Sequence, residues 1–147
     1  MKELKKKFIG LFTLCLILLI INGIILNLVN EWFFQYSNSY NFEESSIQGK
    51  LFLVLIFAPF IESYLFTYLP YYVFSNFEFS EKQLIIIFSL LFSLIHLYHP
   101  LYVIMAFNAG LIINWFYIYS TKHTKHPLLA IIILHSLFNL IVFCFSE

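Results

Sequence analysis

A single carboxylate lies near the middle of a long apolar segment of this chain. Glu62 is the only formal charge between Leu51 and Ser75. A charged side chain at bilayer depth costs about 3 kcal/mol on insertion scales, so an ionisable residue kept there is a candidate functional residue whose chemistry is proton transfer. The alternative interpretations are a structural glutamate that is hydrogen-bonded to a neighbouring helix, and a member of a proton relay.

Three more polar side chains, His96, His135 and Asn139, lie in the apolar segments that follow. At a rise of about 1.5 Å per residue, all three fall at nearly the same membrane depth as Glu62, near the middle of a hydrocarbon core about 30 Å thick. His135 and Asn139 are four residues apart and therefore share one helix face. Each histidine alone could be an interhelical hydrogen-bonding residue. Their common depth with Glu62 predicts one site.

The composition places these residues in a membrane. Of the 147 residues 61% are hydrophobic and 11% are charged, and the mean hydropathy is +0.87, values typical of polytopic membrane proteins. The formal net charge is zero and no basic face could follow a phosphate backbone, so we expect membrane lipid rather than nucleic acid around the chain. Cys15 and Cys144 show no Cys-x-x-Cys spacing, which favours small buried hydrophobic residues over a redox pair.

The apolar segments predict an all-α fold, a polytopic bundle of about five transmembrane helices. We interpret residues 1–147 as one membrane domain, with a first helix and outer loop over 1–50 and the core over 51–147. Gly110, in the fourth span, predicts a close approach between helices. The predicted spans are Phe8–Val29, Leu51–Ser75, Leu84–Tyr98, Leu101–Ser120 and Pro127–Phe145.

The lysine distribution predicts the orientation in the membrane. With five spans, the lysine-rich segment Met1–Lys7 and the loop with Lys122 and Lys125 fall on one side, and the acidic loop Asn30–Lys50 falls on the other. The positive-inside rule then makes the N-terminus cytoplasmic. We expect an integral protein of a bacterial cytoplasmic membrane, with a first helix that is retained rather than cleaved as a signal peptide. The aromatic residues Trp32, Phe33, Phe34 and Tyr36 are expected to form an interfacial anchor, and the alternative is that they cover a substrate.

Three short segments resemble the motifs of the CPBP intramembrane proteases, a family with the eukaryotic CAAX prenyl endopeptidase and bacterial bacteriocin-processing and immunity proteins. They are the Pro-x-x-Glu segment that ends at Glu62, Phe92-Ser93-Leu94-Ile95-His96, and His135-Ser136-Leu137-Phe138-Asn139. The segments occur in the family's order, each on its own span, and the resemblance covers about Leu51 to Phe145.

The resemblance implies an intramembrane endopeptidase that acts on a peptide or protein substrate. Glu62 would activate water as a general base, His96 would hold that water, and His135 and Asn139 would donate hydrogen bonds to the developing oxyanion. The family is commonly labelled metalloprotease, and in the zinc alternative His96 and His135 would be metal ligands. That site lacks a third protein ligand, and the chain contains no Asp. The sequence therefore favours a mechanism without a cofactor.

The chain departs from the family pattern at two positions. Ser63 stands where the motif has a second Glu, and Thr67 stands where it has an Arg. These positions are four apart and could form an ion pair in the family, so neutral residues at both leave no unpaired buried charge. Either the charged pair that supports the site in the family has been replaced by a neutral one, or the activity of the protein is reduced or absent.

Two functions from other classes compete with proteolysis. The first is a non-catalytic membrane protein of the same fold, for example a bacteriocin immunity or peptide-binding factor. The second is a proton-coupled transporter, which is disfavoured because five spans without an internal repeat provide no pair of pseudo-symmetric halves. Catalysis requires Glu62, His96, His135 and Asn139 together, whereas peptide binding does not. The sequence identifies no partner subunit.

Overall fold

The computed structural model describes residues 2–34, 46–97 and 99–146, which form five helices. No strand occurs within these ranges, so the predicted all-α bundle is confirmed. In this part of the chain four helical segments are long and apolar enough to cross a membrane, namely Glu3–Phe34, Ile47–Phe74, Pro100–His123 and Pro127–Phe145. The helices are α1 (Lys2–Val29), α2 (Ile47–Phe74), α3 (Glu81–Leu94), α4 (Pro100–His123) and α5 (Pro127–Ser146).

The outer loop is shorter than the sequence suggested. Helix α1 continues through a π-helical turn over Asn30–Phe34, and α2 begins at Ile47 after an N-cap at Ser46. Trp32 and Phe33 are 75% and 74% exposed at the end of the first helix, as an interfacial anchor requires. Tyr36 and the acidic loop residues Glu43 and Glu44 lie outside the described residues.

Helix α2 is interrupted by two π-helical turns, at Leu53–Phe57 and at Tyr64–Tyr68. In the first, the N–H of Ala58 bonds to the carbonyl of Leu53, five residues back. Pro59 follows directly and has no N–H to donate. The carbonyl of Val54 therefore has neither of its two usual backbone donors, Ala58 in an α-helix or residue 59 in a π-helix. Pro70 follows the second π turn in the same way.

Helix α3 is shorter than predicted at its C-terminal end. Its start is fixed by a capping box between Ser80 and Gln83. It ends at Leu94 instead of continuing to Tyr98, and its 14 residues span about 21 Å. His96 therefore lies in the turn that follows the helix, and Tyr98 is outside the described residues.

Consecutive helices of the bundle run in alternating directions, and the 14-residue α3 is not among the four described segments that are long enough to cross a membrane. The ring centroid of Phe8, near the start of α1, lies 5.4 Å from that of Phe116, near the end of α4. At the same end of the bundle, Lys122 forms an ion pair with Glu81 at the start of α3. The lysine-rich N-terminal segment and Lys122 thus share one end of the bundle, which agrees with the prediction that they fall on the same side of the membrane. The buried core between these helices contains Leu19, Phe88, Phe116, Ile131 and Leu134.

Candidate active site

Glu62 and His135 face each other between α2 and α5. The distance from His135 Nε2 to Glu62 Oε2 is 3.6 Å, and the side chains are 7% and 22% exposed, respectively. This distance is too long for a good hydrogen bond but allows an ion pair when the imidazole is protonated. The carboxylate and one histidine proposed from the sequence are therefore direct neighbours.

His96 and His135 both lie against the ring of Phe92. The Nδ1 of His96 lies 3.1 Å from the backbone carbonyl oxygen of Phe92, one helical turn earlier. The Phe92 ring centroid is 5.2 Å from that of His96 and 6.2 Å from that of His135. A ring nitrogen next to a carbonyl must carry the proton to bond with it, so the Nε2 of a neutral His96 is the acceptor.

Asn139 is bonded to the backbone of α2. Its Nδ2 donates to the carbonyl oxygen of Val54 at 3.0 Å. Val54 is the residue that the π turn and Pro59 leave without a backbone donor, so the amide replaces the missing bond. A side-chain amide has two N–H groups, and only one is used in this contact.

A narrow crevice lies beside the Glu62–His135 pair. Ser63 and Thr67, which stand at the departures from the family motif, line it and are 2% and 3% exposed. The crevice is too narrow for a water-sized sphere, so a peptide can enter only if side chains or helices move. The other lining residues are Phe92, Gly110, Ile113 and Asn114.

Asn114 is a crevice residue that the sequence analysis did not select. It is 1% exposed, and its Nδ2 donates to Ser89 Oγ at 3.3 Å. The sequence feature that could have identified it is a polar residue one helical turn after Gly110 on the fourth span. Gly110 itself confirms the predicted close approach, because a Cβ added there would lie 3.0 Å from Ser89 Cα.

The donors of this site do not match a catalytic zinc site. Such sites use three protein ligands and leave a fourth position for water. Within residues 2–34, 46–97 and 99–146, no group of three or more His, Cys, Asp or Glu side chains is arranged to hold a metal. Glu62 and His96 are therefore the groups assigned to activate water, and chelation distinguishes this arrangement from a zinc site.

Comparison with known protein families places most of the chain within a described family. A family model described as type II CAAX prenyl endopeptidase Rce1-like matches residues 44–141, which is more than half of the chain. The matched range contains Glu62, His96, His135 and Asn139. No curated protein and no solved structure matches the chain.

Proposed function

The chain belongs to the type II CAAX prenyl endopeptidase Rce1-like family, and on that basis we propose that it is an intramembrane endopeptidase that hydrolyses peptide bonds. The observation that carries the proposal is the Glu62–His135 pair, in which two helices bring a carboxylate and an imidazole to 3.6 Å beside a buried crevice. The family match supports the reaction class, and the pair supports the assignment of the residues.

In the proposed reaction, Glu62 takes a proton from a water molecule held by the Nε2 of His96. The water oxygen attacks the carbonyl carbon of the substrate, and the π electrons of that C=O bond move onto the carbonyl oxygen. Glu62 then delivers the proton to the leaving amine as the C–N bond breaks. A positioned general base of this kind contributes about a hundredfold or more to the rate.

His135 and Asn139 are the proposed donors to the oxyanion. His135 faces Glu62 directly, so one imidazole N–H can point toward the space in which the carbonyl oxygen develops charge. Asn139 follows one turn later on α5 and has a second N–H besides the one bonded to Val54. Loss of one preorganised donor usually lowers the turnover rate by about a hundredfold.

The second candidate is a non-catalytic protein of the same family that binds a peptide, such as an immunity factor. The buried neutral pair of Ser63 and Thr67 favours it, because the motif's second carboxylate and its arginine are both replaced in the crevice. The closed crevice is compatible with either function.

We propose that the chain is a single membrane domain in a bacterial cytoplasmic membrane, with its N-terminus in the cytoplasm. Its helices are embedded in lipid, and a peptide or protein segment is its substrate. The apolar outer surface supports the lipid contact: in the first span, for example, Ile9 and Ile24 are 63% and 54% exposed.

The test is peptide cleavage by purified protein in detergent. A pool of randomised synthetic decapeptides and a farnesylated peptide with a C-terminal CAAX sequence are incubated with each variant, and products are identified by mass spectrometry. Wild type should cleave members of this set, and Glu62→Gln should lose at least about a hundredfold in rate. Glu78→Gln, which removes the same charge from an exposed turn, is the matched control and should retain activity. Absence of cleavage by folded wild type would favour the non-catalytic alternative.

A further inference from the structure

Two buried polar atoms in the crevice have no hydrogen-bond partner within the described part of the chain. They are Ser63 Oγ on α2 and Asn114 Oδ1 on α4. The two residues are 2% and 1% exposed, and both line the crevice beside Glu62. Buried polar groups are almost always hydrogen-bonded, so two orphans in one crevice point to a molecule that supplies the missing partners.

The orientation of the Asn114 amide follows from its neighbour. Ser89 Oγ donates its single hydrogen to the carbonyl oxygen of Ile85 at 2.6 Å. It can therefore only accept from Asn114, and the amide atom 3.3 Å away must be the nitrogen. Asn114 Oδ1 is consequently directed away from Ser89 as a pure acceptor.

The position of this acceptor is held by close helix packing. A Cβ on Gly110 would lie 3.0 Å from Ser89 Cα and 3.1 Å from Ser89 Cβ, so only glycine allows α3 and α4 to come this near. Asn114 is one helical turn beyond Gly110 on the same face. The short separation of the helices is what lets Ser89 reach the Asn114 amide and fix it.

We propose that, when side chains or helices move to open the crevice, Asn114 Oδ1 and Ser63 Oγ form a subsite that binds the backbone of the substrate peptide beside the Glu62–His135 pair. Asn114 accepts the hydrogen of a peptide N–H, and Ser63 donates its hydroxyl hydrogen to a peptide C=O. A peptide drawn into a membrane protein loses water from both groups and must replace both bonds. The inference rests on the proposed function, since it requires a peptide in this crevice.

The test measures peptide binding to the Glu62→Gln protein, so that cleavage is not needed. The tightest binder from the decapeptide pool is resynthesised as a series in which one backbone N–H at a time is replaced by an ester oxygen. One ester should weaken binding by about tenfold, the usual effect of one lost hydrogen bond. That loss should disappear when Asn114→Ala is added, because the acceptor is then absent.

Ser120→Ala is the matched control. Ser120 is also on α4, is 0% exposed and has an unpartnered Oγ, but it does not line the crevice. This substitution should leave the affinity for the parent peptide and for each peptide of the ester series unchanged. Ser63→Ala removes only one oxygen and should weaken the parent peptide by about tenfold, which keeps the test decisive if Asn114→Ala does not fold.

The outcomes separate the subsite from the proposed function. Binding that is insensitive to every ester overturns the subsite and leaves proteolysis intact. Binding that depends on one N–H, without cleavage by wild type, supports the subsite as a peptide-binding site and removes the proteolytic function. Absence of binding to the pool overturns the subsite, whereas proteolysis is decided by the cleavage assay with the full peptide set.

Discussion

Asn139 of α5 donates its side-chain amide hydrogen to the backbone carbonyl oxygen of Val54 in α2, with the two atoms 3.0 Å apart. The bond joins the last helix to the first π turn, about two helical turns before Glu62. Its acceptor has no backbone donor because Ala58 bonds to Leu53 and Pro59 has no N–H. The residue that we propose as an oxyanion donor therefore also holds the helix that carries the general base.

Comparison with Asn22 can distinguish the structural role of Asn139, its bond to Val54, from its proposed role as an oxyanion donor. The Asn22 Nδ2 donates to the carbonyl oxygen of Met105, also at 3.0 Å, so the two amides make the same kind of interhelical bond. Asn139→Ala and Asn22→Ala should each lower the free energy of unfolding by about 1–3 kcal/mol. Only Asn139→Ala should also lower the turnover rate, by about a hundredfold. Unfolding is followed by denaturant titration in detergent, and equal turnover in both variants would contradict the catalytic role.

Because Pro59 leaves the Val54 carbonyl oxygen to the Asn139 amide, we expect Asn139 and Pro59 to be energetically coupled. In Pro59→Ala the new backbone N–H can bond to Val54, so the cost of Asn139→Ala should fall. A double-mutant cycle on the free energy of unfolding should give a coupling energy of about 1 kcal/mol. Pro70→Ala serves as the control, because Pro70 follows the second π turn and should combine additively with Asn139→Ala. Additivity in both cycles would refute this explanation of the bond.

The sequence was sufficient to predict the all-α bundle and its long apolar helices, because hydropathy determines both. The depths proposed for the polar side chains led to Glu62 and His135, whose side-chain atoms lie 3.6 Å apart. The sequence did not predict the bond from Asn139 to Val54, since it depends on π winding, which has no hydropathy signal. Asn114 was missed for a related reason, because an amide in an apolar helix is usually an interhelical hydrogen-bonding residue.

Gly110 should be intolerant of any side chain. The added methyl group of Gly110→Ala would meet backbone of Ser89 at 3.0 Å, so α3 and α4 must move apart, with a loss of about 1–3 kcal/mol in the free energy of unfolding. Gly10→Ala is the matched substitution, because nothing lies within 4 Å of its added Cβ. Its effect should be neutral or stabilising by up to about 1 kcal/mol, as alanine favours a helix. Equal stability of the two variants would contradict the close contact.

The orientation can be tested by labelling single cysteines in intact cells and in inverted vesicles. Cys144 is exposed and Cys15 is buried, so both are first replaced to give a cysteine-free background. Lys122→Cys should react only from the cytoplasm and Gln48→Cys only from the outside, because positive charge favours the cytoplasmic side. Labelling of both positions from one side would refute the five-span topology.

Exhaustive chelation tests the zinc alternative. Since the described residues provide no cluster of three ligands, we expect activity to survive chelation and the active protein to contain far less than one zinc per chain. If zinc acts instead, chelation should abolish activity, added zinc should restore it, and His135→Ala should lose the metal. If stoichiometric zinc is lost together with activity, the metal-free mechanism is wrong, and Glu62 remains the proposed base of a zinc mechanism.

The two π turns of α2 change how relatives of this chain should be aligned. Each π turn is equivalent to one residue inserted into an α-helix, and one inserted residue rotates everything after it by about 100° around the helix axis. A relative with an ordinary α-helix here would carry its carboxylate one position earlier relative to the residues before Leu53. An alignment without a gap at Leu53–Phe57 would then pair the relative's equivalent of Ser63 with Glu62, so the number of residues wound into that turn, rather than sequence identity, indicates whether the carboxylate faces His135.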